Sequence, residues 1–220
     1  MLSPLSRPYF YLLCLALIIS LYIILSKRTS RNNFLLASIN LISIITEIYA
    51  FSLARKGVIN SLHYNIYNIF EVNIYLLILS NLLSGTFSRK AITIFIIVFN
   101  AIAITRLLFI NDPNEFDSLA YAIGCFFVCC SCTFYYYELF TIQYAVNLIR
   151  EPSFWLVTAL FFYFVVGVPI YGVLFQMDDP SSIILADYMV IINSVNFISY
   201  FLINIALVCQ IRYNKPITLR

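Results

Sequence analysis

The sequence predicts an all-α polytopic membrane protein, a single bundle of seven transmembrane helices with the N-terminus outside and the C-terminus cytoplasmic. Three observations carry that expectation. Hydrophobic residues fill 62% of the 220 positions and charged residues only 10%, whereas a water-soluble domain carries roughly 25% charged and 45–50% apolar residues. The apolar residues fall into seven runs, each near the roughly 20 residues needed to cross a hydrocarbon core about 30 Å thick. Lysines and arginines concentrate on alternate connections between the runs.

The runs cover about 8–26, 33–53, 61–84, 91–110, 118–140, 153–176 and 183–211. Short connections leave no room for an extramembrane domain, so residues 1–220 read as a single seven-helix membrane domain. The first run follows Arg7 like a signal peptide. It lacks a small-x-small cleavage site and is followed by Lys27, Arg28 and Arg31, a stop-transfer pattern, so it reads as a retained helix. Those three residues, Arg89 and Lys90, Arg150, and Arg212, Lys215 and Arg220 all fall on one side; Arg7, Arg55 and Lys56 fall on the other. The basic side is cytoplasmic. The outer connections carry Asp112, Glu115 and Asp117, then Asp178 and Asp179. Residues 142–152 suggest a short interfacial helix stopped by Pro152. Tyr135, Tyr136, Tyr137 and Glu138 close the fifth run as an aromatic belt, with Glu138 reaching the headgroups.

Several function classes lack their chemistry. Cys14, Cys125, Cys129, Cys130, Cys132 and Cys209 lie within apolar runs, which gives no disulfide framework. Cys125, Cys129 and Cys132 share a helical face, a spacing a soft metal could use, but no histidine or second cysteine cluster completes a site; they read as small packing residues, with no metal. His63, the lone histidine, reads as an interfacial hydrogen-bonding group. A net charge of +3 is too small to suggest nucleic acid. P-loop, HExxH and GxSxG signatures are absent, and no lysine lies between Ile183 and Ile211 for a retinal Schiff base. No cofactor and no enzyme activity are expected.

The informative stretch is YNIYNIFEVNIY, Tyr64 to Tyr75. At 100° per residue Tyr64, Tyr67, Asn68, Glu71 and Tyr75 fall within about 100° of one another. A carboxylate near mid-bilayer costs roughly 2.5–3.5 kcal/mol on insertion scales, so ionisable residues inside spans point to sites. Asn40, Ser43 and Glu47 share a face of the second run, and Asn193, Asn196, Tyr200 and Asn204 a face of the seventh. At 1.5 Å per residue, Glu71 and Asn193 lie roughly 15 Å from the outer end, Glu47 roughly 9 Å, Arg106 and Asp187 roughly 6 Å. That shared depth predicts an outward-facing polar cavity, a ligand-binding site lined by Glu47, Tyr64, Tyr67, Asn68, Glu71, Arg106, Asp187 and Asn193. The competing expectation is a structural pair, Glu47–Arg106 or Glu71–Arg106, that neutralises the charge. Asparagines and tyrosines can also act as hydrogen-bond glue between membrane helices, at about 0.6 kcal/mol each. In the sixth run Pro169, flanked by Gly167 and Gly172, predicts a hinge at cavity depth.

The segments LHYNIYNIFEVNIYLLILSNLL and EPSFWLVTALFFYFVVGVPIYGVL resemble a group of small seven-helix membrane proteins of Bacteroidetes-type bacteria. The matching positions are Tyr64, Asn65, Tyr67 and Glu71 in the third helix, and Pro152, Phe154 and Trp155 at the start of the sixth. The resemblance implies a bacterial cytoplasmic (inner) membrane protein, encoded near signalling kinases, and no activity. Seven helices with an outer N-terminus are also the plan of the SWEET-type sugar transporters, but their prolines in the first helix of each half are missing here. Three functions follow as expectations. The first is a non-catalytic sensor or accessory subunit with a small-molecule ligand in the cavity. The alternatives are a small-solute or ion-coupled transporter using Glu71, and a structural helix-packing partner of a membrane complex. The expected partners are the lipid bilayer and a membrane protein or second copy of the chain.

Overall fold

A computed structural model describes residues 4–26, 30–110, 112, 115–141, 147–177, 182–213 and 217, the side chains of 5, 110 and 182–187 excepted. Seven α-helices follow one another: α1 (Pro8–Leu25), α2 (Arg31–Arg55), α3 (Ser61–Leu82), α4 (Thr86–Thr105), α5 (Ser118–Thr141), α6 (Pro152–Phe175) and α7 (Ser182–Tyr213). No strand occurs among the described residues. Six of the helices, all but α3, are long and apolar enough to cross a membrane, which makes the chain a multi-pass membrane protein.

The helix ends have local causes. Pro8 and Pro152 open α1 and α6 at positions whose N–H has no intrahelical partner, so the ring costs nothing there and presets φ. Pro152 therefore starts a helix instead of stopping one. Of the interfacial helix expected over 142–152, residues 142–146 lie outside the described residues and Leu148–Arg150 forms one 3-10 turn. The α2–α3 turn passes through Gly57 at φ 69°, a left-handed conformation that side chains other than glycine disfavour. α4 begins at Thr86, earlier than hydropathy suggests, because Glu138 of α5 accepts hydrogen bonds from the Ser84 N–H (2.8 Å), the Ser84 hydroxyl (3.0 Å) and the Gly85 N–H (3.1 Å). Glu138 thus clamps the α3–α4 turn and does not reach out to headgroups. A Cβ on Gly85 would sit 2.6 Å from Glu138 Oε1, so glycine is what admits the carboxylate.

The packing is a closed ring with one helix outside it. Contacts run α1–α2–α3–α5–α6–α7 and back to α1, while α4 lies against α3 and α5. α4 accordingly buries only Ser88, Ile92, Phe99 and Ala103 and turns Ile94, Ile97 and Ile104 outward. Gly124 lets three helices meet, since a Cβ there would come within 2.8 Å of both Phe99 of α4 and Val72 of α3. Such close approach is how membrane helices associate, because lipid tails are as apolar as leucine and offer no hydrophobic drive. Asn73 of α3 and Asn100 of α4 add a reciprocal amide pair, each Nδ2 donating to the other's Oδ1 at 3.0 and 2.7 Å.

α3 keeps its polar residues on enclosed faces. Its neighbours α2, α4 and α5 cover three sides. Only a stripe at four-residue spacing, Leu62, Ile66 and Phe70, faces outward, and it is apolar. At the far end from the start of α1, Asn81 Nδ2 of α3 donates to Asn32 Oδ1 of α2 (2.9 Å), and Asn32 Nδ2 to the Ile217 carbonyl (3.0 Å).

Candidate functional site: a tyrosine-lined cavity around Glu71

The ring encloses a cavity of about 240 Å³ at the end where α1 begins. Arg7, Tyr9 and Leu13 line it from α1 and its N-cap; Ser43, Thr46 and Glu47 from α2; Tyr64, Tyr67, Asn68 and Glu71 from α3. Phe116 contributes from just before α5 and Tyr121 from its first turn, and Tyr163 and Tyr171 from α6. Tyr188, Met189, Ile192, Asn193, Asn196 and Tyr200 complete the wall from α7. The volume suits several waters or one small organic molecule, just below the usual range of ligand pockets.

Glu71 is the cavity's deepest charge-bearing group and is 3% exposed. Tyr67, one turn earlier on the same helix, donates its hydroxyl to Oε1 at 3.0 Å, and Tyr121 of α5 donates to Oε2 at 2.6 Å. Each phenol is backed by a further hydroxyl, Ser43 at 2.8 Å from Tyr67 and Tyr163 at 3.2 Å from Tyr121. A hydroxyl carries one proton. With Tyr67 giving its proton to Glu71, the Ser43 proton is shared between Tyr67 and the Ile39 carbonyl, each at 2.8 Å, and Tyr163 is left to donate to Tyr121. The result is a five-group chain across α2, α3, α5 and α6 that converges on a carboxylate accepting at both oxygens. Donors on both oxygens are the pattern an ionised carboxylate satisfies.

Glu47 has a different partner. Arg7, just before α1, donates from one Nη to Glu47 Oε2 at 3.0 Å and to the Tyr9 hydroxyl at 2.9 Å. Arg7 counts in the sequence only as a charge outside the first span, yet it supplies the cavity's cation. Its position gives the missed signal: a basic residue directly before a helix and a carboxylate about two turns from the end of the next helix lie at the same level.

Arg106 belongs elsewhere. At the junction of α4 with a π-helical turn (Arg106–Ile110), its Nε donates to both Asp117 oxygens, at 2.9 and 3.0 Å. Asp117 Oδ1 also accepts the Ala120 N–H (3.0 Å), which caps the start of α5. Asn65 of α3 completes the group, accepting the Asp117 N–H at 2.9 Å and donating to the Glu115 carbonyl at 2.9 Å. Both expected pairs, Glu47–Arg106 and Glu71–Arg106, are therefore overturned: a nearer acid in the α4–α5 connection takes the arginine, and Arg106 does not line the cavity. The side chain of Asp187 lies outside the described residues.

The remaining predicted positions divide. Glu47, Tyr64, Tyr67, Asn68, Glu71 and Asn193 come together on the one wall. Of the α7 stripe, Asn193, Asn196 and Tyr200 face the cavity, while Asn204 donates to the Leu12 carbonyl of α1 at 2.9 Å and ties the ring shut. Asn40, a turn deeper than Ser43, is buried outside the lining. His63 packs edge-on against Tyr49, ring centroids 4.8 Å apart. α6 is continuous through Pro169, which sits on the exposed face, whereas Gly167 is buried. A Cβ on Gly167 would sit 3.0 Å from Cys125 Sγ, and one on Gly172 would meet nothing within 4 Å. Gly167 thus serves close packing of α6 on α5. Tyr121, Tyr163, Tyr171 and Tyr188 are cavity-wall residues that sequence reasoning missed; among 17 tyrosines, nothing distinguishes these four.

Comparison with protein-family models, with curated proteins and with solved structures finds no match.

Proposed function

We propose that the chain is a seven-span protein of the bacterial cytoplasmic membrane, N-terminus outside, that binds a small polar molecule in this cavity and acts without catalysis as a sensor or accessory subunit. Asn68 carries the reading. It lines the cavity, is 8% exposed, and its Nδ2 has no partner among the described residues. A buried amide donor left unpaired costs about 1–3 kcal/mol, and on a cavity wall it favours a guest, ligand or water, that accepts its proton. α3 supports the seventh span: its 22 residues reach about 33 Å, enough to cross, and its polar faces are turned to neighbours. Orientation rests on the basic connections, and the choice of membrane on the resemblance of the third and sixth helices described above. The role of α6 follows from Pro169. With the proline ring on the outer face the helix bends away from that side, so straightening or bending moves Tyr163 and Tyr171 against the cavity.

The purified chain in nanodiscs, melted against a panel of small polar solutes, tests this. At least one class is expected to raise the melting temperature, by about 2.7 kcal/mol equivalent at a hundredfold excess over Kd, and Glu71→Gln is expected to abolish the shift. A panel without any shift, whatever the variant, defeats the proposal.

A transporter is the second reading, favoured by one observation. A smaller void of about 10 Å³, lined by Glu71, Tyr75, Tyr163, Asn196, Ser199 and Tyr200 among others, lies on the other side of Glu71 and shares part of the main wall. Solute flux into proteoliposomes that Glu71→Gln removes would select this reading over a sensor.

A further inference from the structure

We infer that the cavity takes a small organic cation, an alkylammonium group seated against Glu71 among tyrosine rings; this rests on the binding function proposed above and names its ligand class. The charges lining the cavity do not balance. Glu47 is matched by Arg7 at 3.0 Å, and no other basic side chain lines the wall among the described residues. Glu71 has only neutral donors, Tyr67 and Tyr121, which occupy two of about four lone-pair directions on the carboxylate. An ionised Glu71 therefore places on the cavity wall a negative charge with unused acceptor capacity and no basic partner among the described residues.

The walls select the kind of cation. Eight tyrosines from five helices line the space. Ring faces carry negative quadrupole potential and attract ammonium groups, while they repel anions, as does Glu71. A bare metal ion fits poorly, because Ca²⁺ or Mg²⁺ wants six or more oxygens and favours several carboxylates, whereas this wall offers one carboxylate without a cationic partner, among phenols, hydroxyls and amides. At about 240 Å³ the cavity is also far larger than an ion. Leu13, Met189 and Ile192 provide apolar surface for alkyl groups, and the unpaired Asn68 Nδ2 asks for an acceptor atom on the same molecule. A short amino alcohol or its quaternary form meets all of these demands. The same chemistry occurs free in solution and on the headgroups of ethanolamine and choline lipids.

The test uses the full chain in phosphatidylglycerol nanodiscs, titrated calorimetrically with choline chloride, ethanolamine hydrochloride, 3,3-dimethyl-1-butanol (the uncharged isostere of choline) and sodium acetate. At least one of the two ammonium solutes is expected to bind, with the isostere and acetate at least tenfold weaker and Glu71→Gln weakening the ammonium at least tenfold. If Glu71→Gln does not fold, the ammonium–isostere comparison on the native chain still decides, and Asn68→Leu provides a second variant expected to weaken ethanolamine. Failure of both free solutes together with a melting shift in phosphatidylethanolamine nanodiscs, lost on Glu71→Gln, supports the cation reading with a headgroup as its source. Equal binding of isostere or acetate overturns the cation reading, as does no response in any arm. If another solute class from the wider panel binds instead, the binding function stands and only this inference falls.

Discussion

Asn65 and Glu71 lie less than two turns apart on α3, and the groups they belong to end in opposite ways. Around Asn65, charge meets charge: Arg106 holds both oxygens of Asp117, the aspartate also caps α5, and the amide closes the loop backbone. Around Glu71 every donor is neutral, an amide on the next turn is unpaired, and a cavity adjoins them all. A polar residue inside a membrane helix therefore points to a ligand only when its neighbours leave something over. Ion pairs at the same level of the bundle differ by this same criterion, which makes the contrast measurable.

The largest effect is expected at the closed group. Asp117→Ala removes the carboxylate of Arg106 and the cap on Ala120, leaving a guanidinium that is 18% exposed without its counter-charge. Breaking a largely buried pair typically costs 3–5 kcal/mol, because the remaining charge loses its carboxylate in surroundings poor in water. Reversible unfolding in bicelles should show that loss, and replacing Arg106 and Asp117 together by leucine should restore much of it. A single-variant loss below about 1 kcal/mol would mean that water reaches Arg106 and that the group is not closed.

Arg7→Ala makes the matching change at the cavity. Exposure does not separate the two pairs, since the Arg7 and Glu47 side chains are 13% and 19% exposed against 18% and 7% for Arg106 and Asp117. What separates them is the size of the void: Glu47 lines the cavity of about 240 Å³ and can be hydrated from it once Arg7 is gone, whereas Asp117 borders a void of only about 20 Å³. The expected loss is about 1 kcal/mol, in the range of exposed pairs. A loss as large as that of Asp117→Ala would show the cavity to be dry and erase the distinction.

Much of this arrangement was legible in the sequence, and the failures share a cause. Hydropathy locates all seven helices to within a few residues, and the largest error, the start of α4, arises because Ser88, Arg89 and Lys90 look like a loop while Glu138 holds them in a helix. Counting depth along the spans brings Glu47, Glu71 and Asn193 to one wall, because the ring is built from antiparallel helices whose residues keep level. Depth does not say which way a residue faces around the ring. Arg106 matches the cavity in depth but sits on α4, the one helix outside the ring, and its partner Asp117 reads in sequence as part of an acidic connection. Arg7 fails in the complementary way, as a charge assigned to topology that in fact folds back onto α2.

Tyr67→Phe is the mildest of these changes and the one that bears most directly on the contrast. The variant deletes the donor to Glu71 Oε1 without altering the shape of the wall. Ser43 is not orphaned, because its hydroxyl has the Ile39 carbonyl at 2.8 Å as a second acceptor, and Glu71 keeps Tyr121 at 2.6 Å. Water in the cavity can take the vacated position on the carboxylate at little cost. The net loss should therefore stay near the lower end of the usual 0.5–1.5 kcal/mol for one hydrogen bond, a fall in Tm of about 2 °C. In a closed group the same deletion would leave an acceptor without recourse and cost the full desolvation of that atom. A fall of many degrees would thus place Glu71 in the same class as Asp117, as a structural acceptor. A small fall, joined to altered binding of an ammonium solute, is what a carboxylate held ready for a ligand predicts.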